Sequence, residues 1–427
     1  MKKIGIISLG CDKNRVDSEK MLFALEEGGY ALTQDVREAD VIIINTCAFI
    51  GDAKKESIDT ILEMAELKKT SKKYIVVTGC FSTRYAQEIK EDLPEVDVFL
   101  PIKEEYKILS VVNGFFGKGE EEGKEGRVLT TPYSYAYLKI ADGCNNRCSY
   151  CAIPFIRGKY VSEPIEKLVQ ESEILYKEGV KELILVAQDV TNYGRDLYGK
   201  PSLIDLLKEL SKIDFWKIRI LYAYPELIDD ELIDYICQND KIAKYLDVPL
   251  QHVSNDVLKK MNRRSNRESI DELVDKIRKK DVYVALRSTF INGFPQETEE
   301  DHENLKEFLE NKLDYAGFFV YSPEEGTKAY EMDGRVKKGV AKKRRTECEK
   351  VQVKATLSAH ERLVGKELEV IYEGIDYNKG KFYGRSEYQA PEIDVKIYFS
   401  SKYPLEIGEI YRVKITKAGF YPEGETI

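Results

Sequence analysis

Cys144, Cys148 and Cys151 stand at C-x3-C-x2-C spacing in one short loop, Cys144-Asn145-Asn146-Arg147-Cys148-Ser149-Tyr150-Cys151. The apolar run Tyr137-Leu138-Lys139-Ile140 lies just before it. A closed zinc or iron–sulfur site needs a fourth protein ligand, and no further cysteine or histidine follows nearby. Three thiolates on a cubane cluster leave one iron open, which suits a cluster that must touch a cofactor or substrate. A zinc knuckle or a set of buried structural thiols is the alternative, and the missing fourth ligand argues against it.

A second set of three cysteines is spread over the first eighty residues. Lys3-Ile4-Gly5-Ile6-Ile7-Ser8-Leu9-Gly10 ends at Cys11, Asp40-Val41-Ile42-Ile43-Ile44-Asn45-Thr46 ends at Cys47, and Tyr74-Ile75-Val76-Val77-Thr78-Gly79 ends at Cys80. Each run is continuously apolar, and helical stretches separate them, one of them from about Ala53 to Leu67 with Ile58, Ile61, Leu62 and Ala65 at helical spacing. This predicts a parallel sheet covered on both faces. In such sheets ligands bind beyond the carboxyl ends of the strands, where all three cysteines fall. Gly10 and Gly79 would let the backbone come close to a bulky group. Three unrelated buried cysteines are the alternative, since free cysteine is often buried. No G-x-G-x-x-G occurs, which weakens a nucleotide-binding sheet.

The glycine-rich charged stretch Glu120 to Gly126 reads as a linker. Beyond it, strands are expected at Tyr137 to Ile140, Glu182 to Ala187, Lys217 to Tyr222, Tyr245 to Val248, Val282 to Ser288 and Tyr315 to Tyr321, with amphipathic helices between them. Six such units suggest a partial (β/α)6 barrel with its chemistry at the carboxyl ends of the strands. Gln188, Asp189, Gln251, His252, Arg287 and Thr289 fall there. Each has a plain structural alternative. Asp189 could cap a turn. Arg287, in an apolar strand, needs an anionic ligand or a structural carboxylate. His252 could be a satisfied core histidine. Asn292-Gly293-Phe294-Pro295 makes a tight turn that could line an adenosine site or be only a turn. From about Leu368 short alternating strands separated by glycine turns predict a small antiparallel β-barrel.

The chain has 427 residues, a length that implies two or three domains, with 43% hydrophobic and 33% charged residues. No apolar run approaches the ~20 residues of a membrane span, and the first residues show no signal-peptide pattern. Eight cysteines in such a chain point to metal or redox chemistry rather than a disulfide framework. A net charge of −9 argues against a protein that coats nucleic-acid backbone and suits a basic partner. The basic run Arg335 to Arg345 reads as a solvated helix face, with RNA contact as the alternative.

Together these residues resemble the radical S-adenosylmethionine methylthiotransferases over essentially the whole chain. Ser8-Leu9-Gly10-Cys11-Asp12-Lys13-Asn14-Arg15-Val16-Asp17-Ser18-Glu19, Ala187-Gln188-Asp189 and Pro249-Leu250-Gln251-His252-Val253-Ser254 resemble the branch that modifies an aspartate of small ribosomal subunit protein twelve. The other branch modifies transfer-RNA adenosines; it usually has Gly-Cys-Gln-Met-Asn in the first motif and serine where His252 stands. Asp12 departs from the proline usual in the ribosomal branch.

The resemblance implies an N-terminal domain over residues 1–120, a radical core over 133–356 and a TRAM β-barrel over 357–427. It implies two 4Fe-4S clusters, one on Cys144, Cys148 and Cys151 and an auxiliary one on Cys11, Cys47 and Cys80. S-adenosylmethionine would be met by Tyr150, Gln188, Asp189, Arg287 and Gly293. It would serve both as methyl donor and as source of a 5′-deoxyadenosyl radical acting on the aspartate β-carbon. A cytoplasmic monomer reduced by flavodoxin or ferredoxin, with no membrane partner, is expected. Leu357–Ile427 carries ten basic and twelve acidic residues, a poor phosphate binder but a plausible dock for a basic ribosomal protein. Cys237 and Cys348 lie outside both sets and read as structural. A two-cluster electron carrier is the competing class, although it has no use for an open iron.

Overall fold

The computed structural model describes residues 1–132 and 134–427; Tyr133, where the radical core was expected to begin, lies outside them. The chain forms two compact units, neither continuous in sequence. Met1–Thr130, Asp142–Val161 and Ser322–Tyr330 make the first, and Thr131–Ala141, Ser162–Tyr321 and Glu331–Ile427 the second. The loop with Cys144, Cys148 and Cys151 thus belongs to the same unit as Cys11, Cys47 and Cys80.

The first unit is built on a parallel sheet of order β2-β1-β3-β4-β5. Its strands are β1 (Lys3–Ser8), β2 (Ala31–Leu32), β3 (Val41–Thr46), β4 (Tyr74–Thr78) and β5 (Val98–Pro101). Helices α1 (Asp12–Glu27), α2 (Gly51–Thr70), α3 (Gly79–Ile89) and α4 (Ile108–Phe115) connect or flank them. Successive side chains of a strand point to opposite faces, so a strand covered on both sides must be apolar throughout. In β3, Ile42 and Ile44 join a core with Ile61, Met64 and Phe81, while Val41 and Ile43 join another with Met21, Leu25 and Leu109. Burying each such side chain contributes roughly 1.5–3 kcal/mol.

One expectation changes here. The inner face of α2 is Ser57, Ile61, Met64 and Ala65, whereas Ile58 and Leu62 are exposed. Residues 120–126, read as a loop or linker, form no helix or strand; just beyond them Arg127 pairs with the fully buried Glu19, which also accepts the Thr130 N–H at 2.8 Å.

The two-residue strands β7 (Ala141–Asp142) and β8 (Val161–Ser162) flank the cysteine loop in sequence. The second unit carries a parallel sheet of order β13-β12-β11-β10-β9-β6. Its strands are β6 (Tyr135–Lys139), β9 (Glu182–Val186), β10 (Lys217–Ile220), β11 (Ile242–Asp247), β12 (Ala285–Asn292) and β13 (Tyr315–Val320), which are the six expected.

The long helix Lys338–Glu361 leads to a closed barrel, β14-β15-β16-β18-β17. Its strands are β14 (Glu367–Asp376), β15 (Lys381–Arg385), β16 (Ile397–Ser400), β17 (Ile410–Lys417) and β18 (Glu423–Thr426) around Val370, Phe399, Val413 and Ile415. The β16–β18 pair is parallel, so the barrel is not purely antiparallel.

Buried ions fasten this barrel to the sheet of its own unit. Glu182, the first residue of β9, takes Arg219 of β10 at 2.6 Å and Arg385 of β15 at 2.9 Å. All three are essentially inaccessible to solvent. Burial alone would push the Glu182 carboxyl up, but the two guanidinium groups hold it below the usual carboxylate range. Its ionic contribution is therefore complete above the ordinary carboxylate pKa and is lost as the pH falls below it. Substituting Glu182→Ala removes the carboxylate partner of buried Arg219 and leaves Arg385 with Glu373 at 2.8 Å, and is expected to cost about 3–5 kcal/mol. Chemical denaturation at neutral pH measures this, and a loss under 1 kcal/mol would contradict the network's importance.

Candidate cluster and cofactor site

The strands of the first unit end at the auxiliary cysteines for local reasons. Cys11 caps the N-terminus of α1, Cys47 directly follows β3, and Cys80 lies in the first turn of α3. A helix N-terminus favours a thiolate, so two of the three sulfurs are placed where negative charge is tolerated.

Gly10 has φ +88°, and a Cβ there would meet Cys47 Cβ at 2.8 Å. Gly79 has φ +87°, and its Cβ would meet Asn45 Oδ1 at 2.3 Å and the Thr46 carbonyl at 2.5 Å. Both glycines are thus required by conformation and by closeness to neighbouring protein atoms. Asn14 then ties the strand ends together, donating from Nδ2 to the Leu9 carbonyl at 3.0 Å and the Thr46 carbonyl at 2.9 Å. Ser57 donates to the Cys47 carbonyl at 2.8 Å.

The three thiols are electrostatic neighbours: Cys47 feels Cys11, and Cys80 feels both. Burial pushes the Cys47 thiol up and pushes the Cys80 thiol up to about 12, against the pull of Arg157. Three cysteines near enough to interact electrostatically, beside two glycines that admit no side chain, are a donor set that fits a three-thiolate cluster. Among the described residues no group of three or more His, Cys, Asp or Glu is gathered to hold one metal ion. A cubane has no such requirement, since each thiolate meets its own iron.

The other cysteine loop is closed by its own backbone. Cys144 N–H donates to the Gly158 carbonyl at 3.1 Å, Cys151 N–H to Cys148 at 3.1 Å, and Ala329 N–H to Ser149 at 2.8 Å. Gly143 has φ +75°, and a Cβ would meet the Lys159 carbonyl at 2.2 Å. Tyr150 and the three cysteines are partly accessible. Arg157 is buried and pairs with Asp142 at 2.7 Å and Asp17 at 3.1 Å. Neither Arg157 nor Asn14 was singled out in the sequence. The one available signal was their polar character beside cysteine motifs.

In the second unit the strand-end residues divide. Gln188 is half-buried after β9. Asp189 is buried and accepts the Thr191 hydroxyl at 2.6 Å, and Thr191 in turn accepts the Tyr224 N–H at 3.0 Å. Arg287 pairs with Asp247 at 2.8 Å and Asp394 at 3.4 Å, two carboxylates that balance its charge in the buried interior.

Gly293, with φ +79°, makes its close approach to Ala341 of the long helix, 2.2 Å from a built Cβ, and its N–H donates to Glu297. Arg344, from the basic run, is buried against Glu297 at 3.1 Å and Glu299 at 3.0 Å, so that run is not wholly solvated. Tyr222 and Gln251, just past β10 and β11, have φ of +62° and +71°. Non-glycine residues held there cost free energy, which the surrounding structure must supply.

His252 is fully buried; its Nδ1 accepts the Ser254 N–H at 3.0 Å, leaving the proton of the neutral ring on Nε2. Burial lowers its pKa to about 4, although Asp301 opposes the shift. An unfolded histidine titrates near 6.5. Between these values the unfolded chain takes up a proton that the folded chain refuses, so acidification destabilises the fold by up to about 1.4 kcal/mol per pH unit. Substituting His252→Asn should flatten denaturation free energy against pH in this window. An unchanged slope would contradict the assignment.

Comparison with known proteins accounts for this arrangement. Residues 3–101 match an uncharacterized protein family, UPF0004, residues 138–309 the radical SAM superfamily, and residues 364–422 the TRAM domain. The ribosomal protein uS12 methylthiotransferase RimO of Thermoanaerobacter sp. (strain X514) is 48% identical over 99% of both chains. The protein of that name from Clostridium botulinum (strain Eklund 17B / Type B) is 48% identical over 97% of this chain and 96% of its own. The radical S-adenosylmethionine methyltransferase TsrM of Kitasatospora setae shares the fold with a TM-score of 0.56 at 15% identity, covering 76% of this chain and 77% of its own. The three matched segments fall in chain order on the cysteine-bearing sheet, the six-stranded sheet and the closed barrel, and the chain belongs to the radical SAM methylthiotransferase family of the uS12-modifying enzymes.

Proposed function

We propose that this enzyme methylthiolates the β-carbon of one aspartate in ribosomal protein uS12. Identity near one half over the whole chain with relatives bearing that name is the observation that carries the reading. The net charge of −9 supports it, because an acidic enzyme attracts a basic ribosomal protein and repels a transfer-RNA backbone.

Cys144, Cys148 and Cys151 would hold one 4Fe-4S cluster and Cys11, Cys47 and Cys80 the other. When bound, S-adenosylmethionine and the clusters supply radical hydrogen abstraction and the methylthio group, chemistry that no side chain here can provide. The chain's own part is positional. The N-termini of α1 and α3 favour thiolate at Cys11 and Cys80. Gly10, Gly79 and Gly143 keep side chains out of the turns beside the cysteines. Tyr150, Gln188 and Arg287 would meet S-adenosylmethionine, and Asp189 and Gly293 would shape the turns that line its site. A cytoplasmic monomer reduced by flavodoxin or ferredoxin completes the proposal.

The reconstituted, reduced protein should be offered recombinant uS12 and transfer RNA in parallel, without oxygen. A gain of about 46 Da on a single aspartate of uS12 is expected, the mass of one S and one CH2 in radical transfer chemistry. A gain on RNA alone would overturn the substrate. In the same assay Cys148→Ser should abolish formation of 5′-deoxyadenosine. The variant Cys47→Ser should keep it while losing the methylthiolated product, and equal losses in both would contradict the division of roles.

A further inference from the structure

Arg157 is set apart by what it touches. It follows the loop of Cys144, Cys148 and Cys151, and its Nη1 donates to Asp142 Oδ2 at 2.7 Å, at the base of that loop. Its Nη2 reaches the first helix of the chain, donating to Asn14 Oδ1 at 2.5 Å and Asp17 Oδ2 at 3.1 Å. The same Asn14 oxygen lies 3.8 Å from Cys80 Sγ, so guanidinium and thiol share one acceptor. The Arg157 side chain is 2% exposed and that of Asp17 is 5% exposed. A cation this deeply buried acts through a low dielectric, where water does little to screen it. The charge of Arg157 is also felt by Cys47 and Cys80.

We propose that Arg157 is a positioning residue that raises the reduction potential of the auxiliary cluster, with Asp17 as the counter-charge that limits the effect, while its bond to Asp142 fastens the neighbouring cysteine loop to the same point. This deepens the function proposed above and rests on its assignment of Cys11, Cys47 and Cys80 as ligands. A positive charge and an N–H donor beside cluster sulfur stabilise the more negative, reduced state, and net charge and hydrogen bonds to sulfur are the protein's main means of setting such potentials. Asp17 opposes this by the same electrostatics. The two residues therefore have opposite signs, which a purely structural role does not predict.

The test uses the full-length chain with Cys144→Ala, Cys148→Ala and Cys151→Ala, so that the auxiliary cluster alone gives a signal. Iron content and an electron paramagnetic resonance redox titration are measured on this background. The titration is repeated after adding Arg157→Gln, Arg157→Lys or Asp17→Asn. The expected result is a more negative midpoint potential for Arg157→Gln, a smaller shift of that sign for Arg157→Lys, and a more positive potential for Asp17→Asn. Potentials that do not move, or that move in the same direction for Arg157→Gln and Asp17→Asn, overturn the proposal while leaving the ligand assignment standing. If Arg157→Gln fails to fold, the sign of the Asp17→Asn shift decides alone. Absence of any cluster in the parent background would instead overturn the ligand assignment, and this proposal with it.

Discussion

Cys47 and Cys80 lie in the apolar core of a parallel sheet, where burial favours the neutral thiol, yet a cluster ligand must be a thiolate. Much of the first unit answers this conflict. Two of the three auxiliary cysteines sit at helix N-termini. A buried guanidinium lies beside them, with Asp17 and Asp142 balancing its charge. Gly10 and Gly79 remove the Cβ atoms that would collide with Cys47 and Asn45. Asn14 and Ser57 fix the carbonyls around them. The sheet supplies only the frame; what surrounds the two buried thiols, Cys47 and Cys80, is a small set of polar contacts, while Cys11 stays exposed.

The second unit solves a related problem with carboxylates and arginines. Glu182, Arg219 and Arg385 are buried together, and Arg287 lies between Asp247 and Asp394. Asp394 also accepts the Tyr245 hydroxyl at 2.7 Å. Since Arg385 and Asp394 come from the C-terminal barrel region, that region completes the charge balance of the six-stranded sheet. The TRAM segment is therefore an integral part of this unit's core, whatever it also docks. All three histidines are buried in this unit, and His360 is hydrogen-bonded to Tyr315 at 3.1 Å and to the Gly419 carbonyl at 2.8 Å.

How much of this was legible in the sequence follows from range. Continuous apolar runs ending in cysteine revealed β1, β3 and β4, because a strand buried on both faces leaves that pattern in consecutive residues. The short edge strands β2 and β5, and β15 and β18 of the barrel, left too few residues to show a period. The six cysteines were visible as types and spacings. The pairing of Arg287 with Asp394 was not legible because the two are more than a hundred residues apart, and no local pattern reports such a pair. Arg157, Asn14 and Glu19 were overlooked for the same reason. The positive φ of Tyr222 and Gln251 has no compositional signature, since neither residue type favours it.

The central claim is that each cysteine triad holds its own cluster within one compact unit. Iron and acid-labile sulfide content of the anaerobically reconstituted chain tests it most directly. Two cubanes require about eight irons per chain, and replacing either Cys11, Cys47 and Cys80 or Cys144, Cys148 and Cys151 by alanine should leave about four. Adding S-adenosylmethionine should change the electron paramagnetic resonance signal only when the second triad is intact. About four irons in the unaltered chain, or loss of all iron when one triad is removed, would contradict the account.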